Sequence, residues 1–118
     1  MDFSEDVFLH RLAPTSPDPF LIKVERAEGI YLYSPDGKRY IDMISGIAVS
    51  SLGHRHPRVI QAIQEQLNKH LHVMVYGEYI QSASNRLAQK LTSLLPPSLN
   101  CCYLVNSGTE ANEAALKL

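Results

Sequence analysis

The spacing of apolar positions changes along the chain, and each change marks an element. Residues Ser4 to Leu12 form a short amphipathic stretch with Ser4 placed to cap a helix, and Pro14, Pro17 and Pro19 follow. Those prolines stop the helix and leave an extended arm with few backbone hydrogen bonds. From Leu21 to Ile44 the period becomes two: Ile22 and Val24 alternate, then Ile30-Tyr31-Leu32-Tyr33, then Tyr40-Ile41. Between the last two runs lies Ser34-Pro35-Asp36-Gly37, a turn in which proline presets φ and glycine accepts a positive one. The stretch predicts a small antiparallel meander.

Beyond Ser45-Gly46, the loop Gly53-His54-Arg55-His56-Pro57 ends on a proline suited to a first helical turn. Val59, Ile60, Ile63 and Leu67 then recur at helical spacing to about Lys69. A loop bearing His70, His72, Tyr76 and Tyr79 leads to a second helix, from about Gln81 to Leu94, with Leu87, Leu91, Leu94 and Leu95 as its apolar stripe. Pro96-Pro97 ends it. Cys101 to Val105 reads as a strand, and Asn106-Ser107-Gly108 turns the chain into a third helix near Thr109. Ala111, Ala114, Ala115 and Leu116 favour that helix, which reaches Leu118 without a closing Gly, Asn or Pro. The chain is therefore expected to be one contiguous segment of a longer protein.

Composition narrows the function classes. The chain has 118 residues, 45% hydrophobic and 19% charged, within the range of ordinary globular sequences. A formal net charge of -1 gives no electrostatic reason to expect nucleic acid or an anionic membrane as partner. No apolar run approaches a membrane span, and the acidic start Met1-Asp2-Phe3-Ser4-Glu5-Asp6 is unlike a secretory signal, so a cytoplasmic location is expected. Cys101 and Cys102 are neighbours on a predicted strand with side chains on opposite faces, which argues against a disulfide or a metal pair. His54, His56, His70, His72 and Cys102 lack the ligand spacing of a zinc site, so no metal is expected.

The segment Cys101 to Glu110 carries the chemistry. A strand, a turn of small residues and a helix start combine unpaired backbone amides, a favourable dipole and close access at glycine. That arrangement binds phosphate, and Ser107 and Thr109 add hydroxyls. The same residues also read as a plain helix cap, with Glu110 compensating the dipole. Spacing leaves both readings open. The glycine patterns of nucleoside-triphosphate and dinucleotide sites are missing.

The run from Asn106 to Leu118, NSGTEANEAALKL, resembles the phosphate-loop signature of the class III aminotransferases, the acetylornithine and ornithine aminotransferase family. Gly37 with Tyr40-Ile41-Asp42, Ser45-Gly46-Ile47-Ala48-Val49, and Leu52-Gly53-His54 with His56-Pro57 follow that family's order, so the resemblance extends from about Gly29 onward. It implies an α/β, fold-type I architecture: residues 1–56 as arm and meander of a small domain, and 57–118 as the start of a large domain that binds pyridoxal 5′-phosphate. It also implies that Ser107, Gly108 and Thr109 bind the cofactor phosphate. The lysine that family enzymes bond to the cofactor, and the aspartate facing its pyridine nitrogen, lie far downstream in the family. The segment by itself is thus expected to hold no catalytic residue and to be inactive; Lys90 and Lys117 lack the lysine's context.

Ornithine aminotransferases carry a tyrosine where this chain has Ile47, while acetylornithine-type enzymes carry an apolar residue. Ile47 is accordingly expected to favour an acylated or uncharged substrate end, against the plainer reading of a packing residue. Tyr76 and Tyr79 are candidates for the substrate entrance, with a core or interface role as the more common alternative. The resemblance further implies amino-acid and 2-oxo acid substrates and a homodimer, and leaves the amino donor open. A stand-alone phosphate-binding or interaction module without catalysis is the contrasting reading.

Overall fold

In the computed structural model, residues 3–13, 15–74 and 77–118 are described; Pro14 and Tyr76, singled out above, lie outside them. The chain divides into two units, Met1–Leu71 and His72–Leu118. In the first, helix α1 spans Glu5–Arg11, and the Ser4 hydroxyl accepts a hydrogen bond from the Val7 amide at 3.2 Å. Glu5 and Asp6 stand in its first turn and His10 and Arg11 in its last, each sign matching the helix dipole. The chain leaves α1 at Leu12 in an extended conformation, and an ion pair of 2.8 Å between Lys23 and Glu5 ties the arm back to the helix.

The meander forms, with strands β1 (Arg26–Glu28), β2 (Tyr31–Tyr33) and β3 (Arg39–Ile41) antiparallel in chain order. Its first strand is displaced from the expectation, because Ile22 and Val24 pair with nothing in the sheet. Leu21 has a φ of 52°, which breaks the extended run before them, and the ladder begins only where Arg26 meets Tyr33. That register, with Tyr33 also opposite Arg39, stacks the Arg26 guanidinium 3.5 Å from the Tyr33 ring centre and Arg39 4.4 Å from Tyr31. Cation–π attraction therefore links all three strands on one face. The Ser34–Gly37 turn is as expected: the Gly37 amide donates to the Ser34 carbonyl at 3.0 Å, and the Ser34 amide to that of Lys38 at 2.9 Å. Across this turn the Lys38 ammonium lies 2.8 Å from Asp36, and with the Ser34 hydroxyl it holds the Asp36 carboxyl down to about 2.

After β3 the chain makes one short turn, α2 (Ser45–Ala48), and then helix α3 (Pro57–Leu67), which starts on Pro57 as its sequence indicates. In the second unit, α4 spans Ser82–Thr92; Gln81 precedes it without a side-chain cap, its amide nitrogen instead donating to the Met74 carbonyl at 3.0 Å. The bonds Leu94 to Leu91 and Leu95 to Thr92 tighten the exit before Pro96. Cys101–Val105 is not a strand here, contrary to the sequence expectation. A strand exists only through its ladder, and no described segment pairs with these residues. Helix α5 (Gly108–Lys117) follows.

The predicted apolar stripes are present but uncovered. No apolar residue is fully buried among the described residues; Ile63 on α3 is 52% exposed and Leu87 on α4 48%. None of the described helices is long and apolar enough to cross a membrane.

Candidate functional site

Helix α5 begins with a complete capping box. Ser107, extended at φ -140° and ψ 159°, accepts the Glu110 amide on its hydroxyl at 3.2 Å. Glu110 reaches back, and one carboxylate oxygen accepts the Asn106 amide at 2.8 Å and the Ser107 amide at 3.0 Å. Both halves follow from the Ser-x-x-Glu spacing. The capping reading and the anion reading turn out to be compatible, because the box consumes some donors and spares others. Among the described residues, the Gly108 and Thr109 amides and the Thr109 hydroxyl make no hydrogen bond. Two unpaired amides at the positive end of a ten-residue helix, beside a hydroxyl, are suited to a phosphate.

Gly108 contributes access rather than an unusual backbone. It is the first helical residue, it is absent from the glycines with positive φ, and a Cβ built on it would meet nothing within 4 Å. The residues expected to hold a phosphate are thus gathered in one turn, and the donor set left free by the cap fits that group.

Ile47 belongs to the other unit, in α2. The residues Ser45, Gly46, Ile47 and Ala48 have φ values of 50°, 60°, 63° and 63°, so α2 is one turn of left-handed helix. Left-handed helical backbone costs about 1–2 kcal/mol for each residue with a Cβ, and a β-branched residue such as Ile47 is among the least suited to it. Glycine relieves the cost only at position 46. Packing among the described residues does not offset the rest, since Ile47 is 86% exposed within this chain.

Local hydrogen bonds hold this turn at its base. Asp42 Oδ1 accepts the amides of Ser45 at 2.9 Å and Ile44 at 3.1 Å, and the Ser45 hydroxyl donates to the Asp42 carbonyl at 3.3 Å. The other Asp42 oxygen lies 2.7 Å from His54 Nε2; the Asp42 side chain is 10% exposed and that of His54 22%. The Ser45 amide first, and then His54, hold the Asp42 carboxyl below the usual carboxylate range. His54 is itself fixed by a two-way backbone bridge to Gly29, at 2.7 and 3.0 Å. That bridge needs glycine at 53: φ is 76°, and a Cβ there would sit 2.9 Å from the Gly29 carbonyl oxygen.

Sequence reasoning took Asp42 and His54 as parts of a motif and a loop, and missed their pairing. Asp42 three residues before Ser45 does signal the amide contacts, a spacing at which a carboxylate captures backbone amides, but nothing in the sequence signals His54. Lys117 pairs with Glu113 on α5 at 2.6 Å, and Tyr79 is 63% exposed. Among the described residues no three of His, Cys, Asp and Glu gather as a metal site would require.

Known proteins resemble this chain over nearly its whole length. A family model described as Aminotransferase class-III matches residues 12–118. The acetylornithine aminotransferase of Aquifex aeolicus is 42% identical over 97 residues, covering 82% of this chain and 25% of that protein. Among solved structures, the adenosylmethionine-8-amino-7-oxononanoate aminotransferase of Methanocaldococcus jannaschii superposes with a TM-score of 0.84 at 28% identity, over 96% of this chain and 27% of that one. The omega transaminase of Pseudomonas jessenii, solved in complex with PMP, gives 0.81 at 30% identity, over 96% and 26%. The chain spans about a quarter of the length of the relatives it matches.

Proposed function

Because the chain belongs to the class-III aminotransferases, with their fold-type I architecture, we propose that it supplies the phosphate-binding turn and part of the donor site of a transaminase. The enzyme moves an amino group from an acetylornithine- or ornithine-like donor to a 2-oxo acid such as 2-oxoglutarate. The observation that carries this reading is the division of labour at α5: the capping box orders the turn and leaves the Gly108 and Thr109 amides free.

When bound, pyridoxal 5′-phosphate supplies the electron sink for proton loss at the substrate Cα. The residues of this chain bind and orient. The Gly108 and Thr109 amides donate to the phosphate, the Thr109 hydroxyl adds a third donor, and the Ser107 hydroxyl can donate while still accepting from Glu110. The α5 dipole favours the anion. Ile47 presents an apolar surface to the far end of the donor, which suits an acylated amine better than a free ammonium. The same reading makes residues 1–56 part of a small domain and 57–118 the start of the cofactor domain, in a cytoplasmic homodimer.

The test compares acetylornithine with ornithine as donors to 2-oxoglutarate, using full-length enzyme carrying this segment. The unmodified enzyme is expected to prefer acetylornithine, and Ile47→Tyr to shift the ratio of kcat/KM toward ornithine by about tenfold or more, the scale of a gained polar contact. An enzyme that holds the cofactor and transfers no amino group from either donor refutes the function. An unchanged ratio in an active Ile47→Tyr enzyme refutes the role of Ile47.

A further inference from the structure

The left-handed turn α2 is held against its own backbone preference, and the groups that hold it lie outside it. Released from Asp42, Ser45 and its neighbours would relax toward the right-handed region that residues with a Cβ favour. The geometry gives the brace an order. The sheet fixes Asp42, whose amide donates to the Ile30 carbonyl at 2.9 Å. One Asp42 oxygen holds the Ile44 and Ser45 amides, and His54, tied to Gly29, holds the other. Rotation of the carboxylate would break the contacts on both sides together. Within this chain no packing shares in holding the turn, since Met43 and Ile47 are each 86% exposed. Backbone held in disfavoured regions by specific side-chain contacts clusters at ligand-binding sites.

Resting on the transaminase reading above, we infer that Asp42 and His54 are positioning residues that lock the Ser45–Ala48 turn in its left-handed form and so fix Ile47 against the amino donor. Neither residue touches the reacting atoms. Their effect passes through the turn to donor recognition, and it leaves the phosphate turn on α5 alone.

Four variants of the full-length enzyme carrying this segment test this: Asp42→Ala, Asp42→Asn, His54→Ala and His54→Gln. Asparagine keeps an oxygen for the two amides, and glutamine keeps a donor where His54 Nε2 stands. Each is measured for donor KM, kcat, cofactor dissociation constant, and hydrogen exchange of the peptide covering residues 43–52. Asp42→Ala and His54→Ala are expected to raise donor KM about tenfold, speed exchange in that peptide and leave cofactor affinity within about twofold. The asparagine and glutamine variants should recover most of the loss.

Faster exchange with unchanged donor KM would overturn the inference, as would unchanged exchange in both alanine variants. Equal loss of donor and cofactor binding would overturn it too, by showing general unfolding. Asn and Gln variants as impaired as alanine would show that the contacts named here are not the ones that matter. An unmodified enzyme without transaminase activity is a separate failure: it removes the reading on which the inference rests.

Discussion

Replacing Glu110 with alanine removes the acceptor of the Asn106 and Ser107 amides, held at 2.8 and 3.0 Å, while the Ser107 hydroxyl keeps its bond to the backbone amide of residue 110. A hydrogen bond to a charged group is worth about 1.5–3 kcal/mol when water cannot replace it. Glu110 is exposed, so water takes over much of the loss, and the net cost falls to that of a helix cap, about 1–2 kcal/mol. Local opening of that size speeds amide exchange about 5- to 30-fold. The effect is selective. Asn106 and Ser107 should exchange faster, while Gly108 and Thr109, which have no protein acceptor to lose, should change little. Glu110→Gln keeps a neutral acceptor and should fall between. The assay is residue-resolved hydrogen exchange on cofactor-free full-length enzyme carrying this segment. Uniform acceleration across residues 106–109, or none at 106 and 107, would refute the claim that the box divides these donors.

Other consequences are open to measurement. An NMR titration of Asp36 should give a midpoint near 2; its contribution to the β2–β3 turn is full above the unfolded carboxylate value and is lost as pH falls through about 2. An ordinary midpoint would mean that the Lys38 contact does not persist. Gly53→Ala should destabilise the first unit by about 2–4 kcal/mol, combining a positive φ with a Cβ 2.9 Å from the Gly29 oxygen. An unchanged denaturation midpoint would contradict the close approach. The isolated 118-residue chain should self-associate through its uncovered α3 and α4 stripes, and light scattering showing a monomer across concentrations would count against this.

The features legible in the sequence were those set by local rules. Pro57 marks a helix start because its φ and missing amide suit that position, and Ser107 with Glu110 signals a capping box by spacing alone. The Ser34–Gly37 turn is equally local. Strands were less legible because pairing is not local: Ile22 and Val24 alternate like strand residues but find no partner, and Cys101–Val105 has the composition of a strand without a ladder. Nothing in Ser45, Ile47 or Ala48 announces left-handed backbone, since each is disfavoured there. The turn exists because Asp42 and His54, 12 residues apart, meet at its base, and one-dimensional periodicity does not register such a pairing. Spacing at Ser107–Glu110 fits both a cap and an anion site, and the capping box, by leaving the Gly108 and Thr109 amides free, does not exclude the second.

Whether α5 presents the Gly108 and Thr109 amides to the cofactor phosphate, as proposed, is decided by Gly108→Asp. Space for the side chain is available, since a Cβ at Gly108 meets nothing within 4 Å, and the backbone there needs no positive φ, so the fold should survive. The carboxylate would occupy and repel the position of the phosphate. Thr109→Ala, which deletes one hydrogen bond to a charged group, is expected to weaken cofactor binding by about 1.5–3 kcal/mol, roughly 10- to 150-fold. Gly108→Asp should weaken it more. With circular dichroism confirming the fold, a cofactor dissociation constant for Gly108→Asp raised beyond that of Thr109→Ala is the predicted result; a folded Gly108→Asp enzyme that binds the cofactor as tightly as the unmodified one would contradict it.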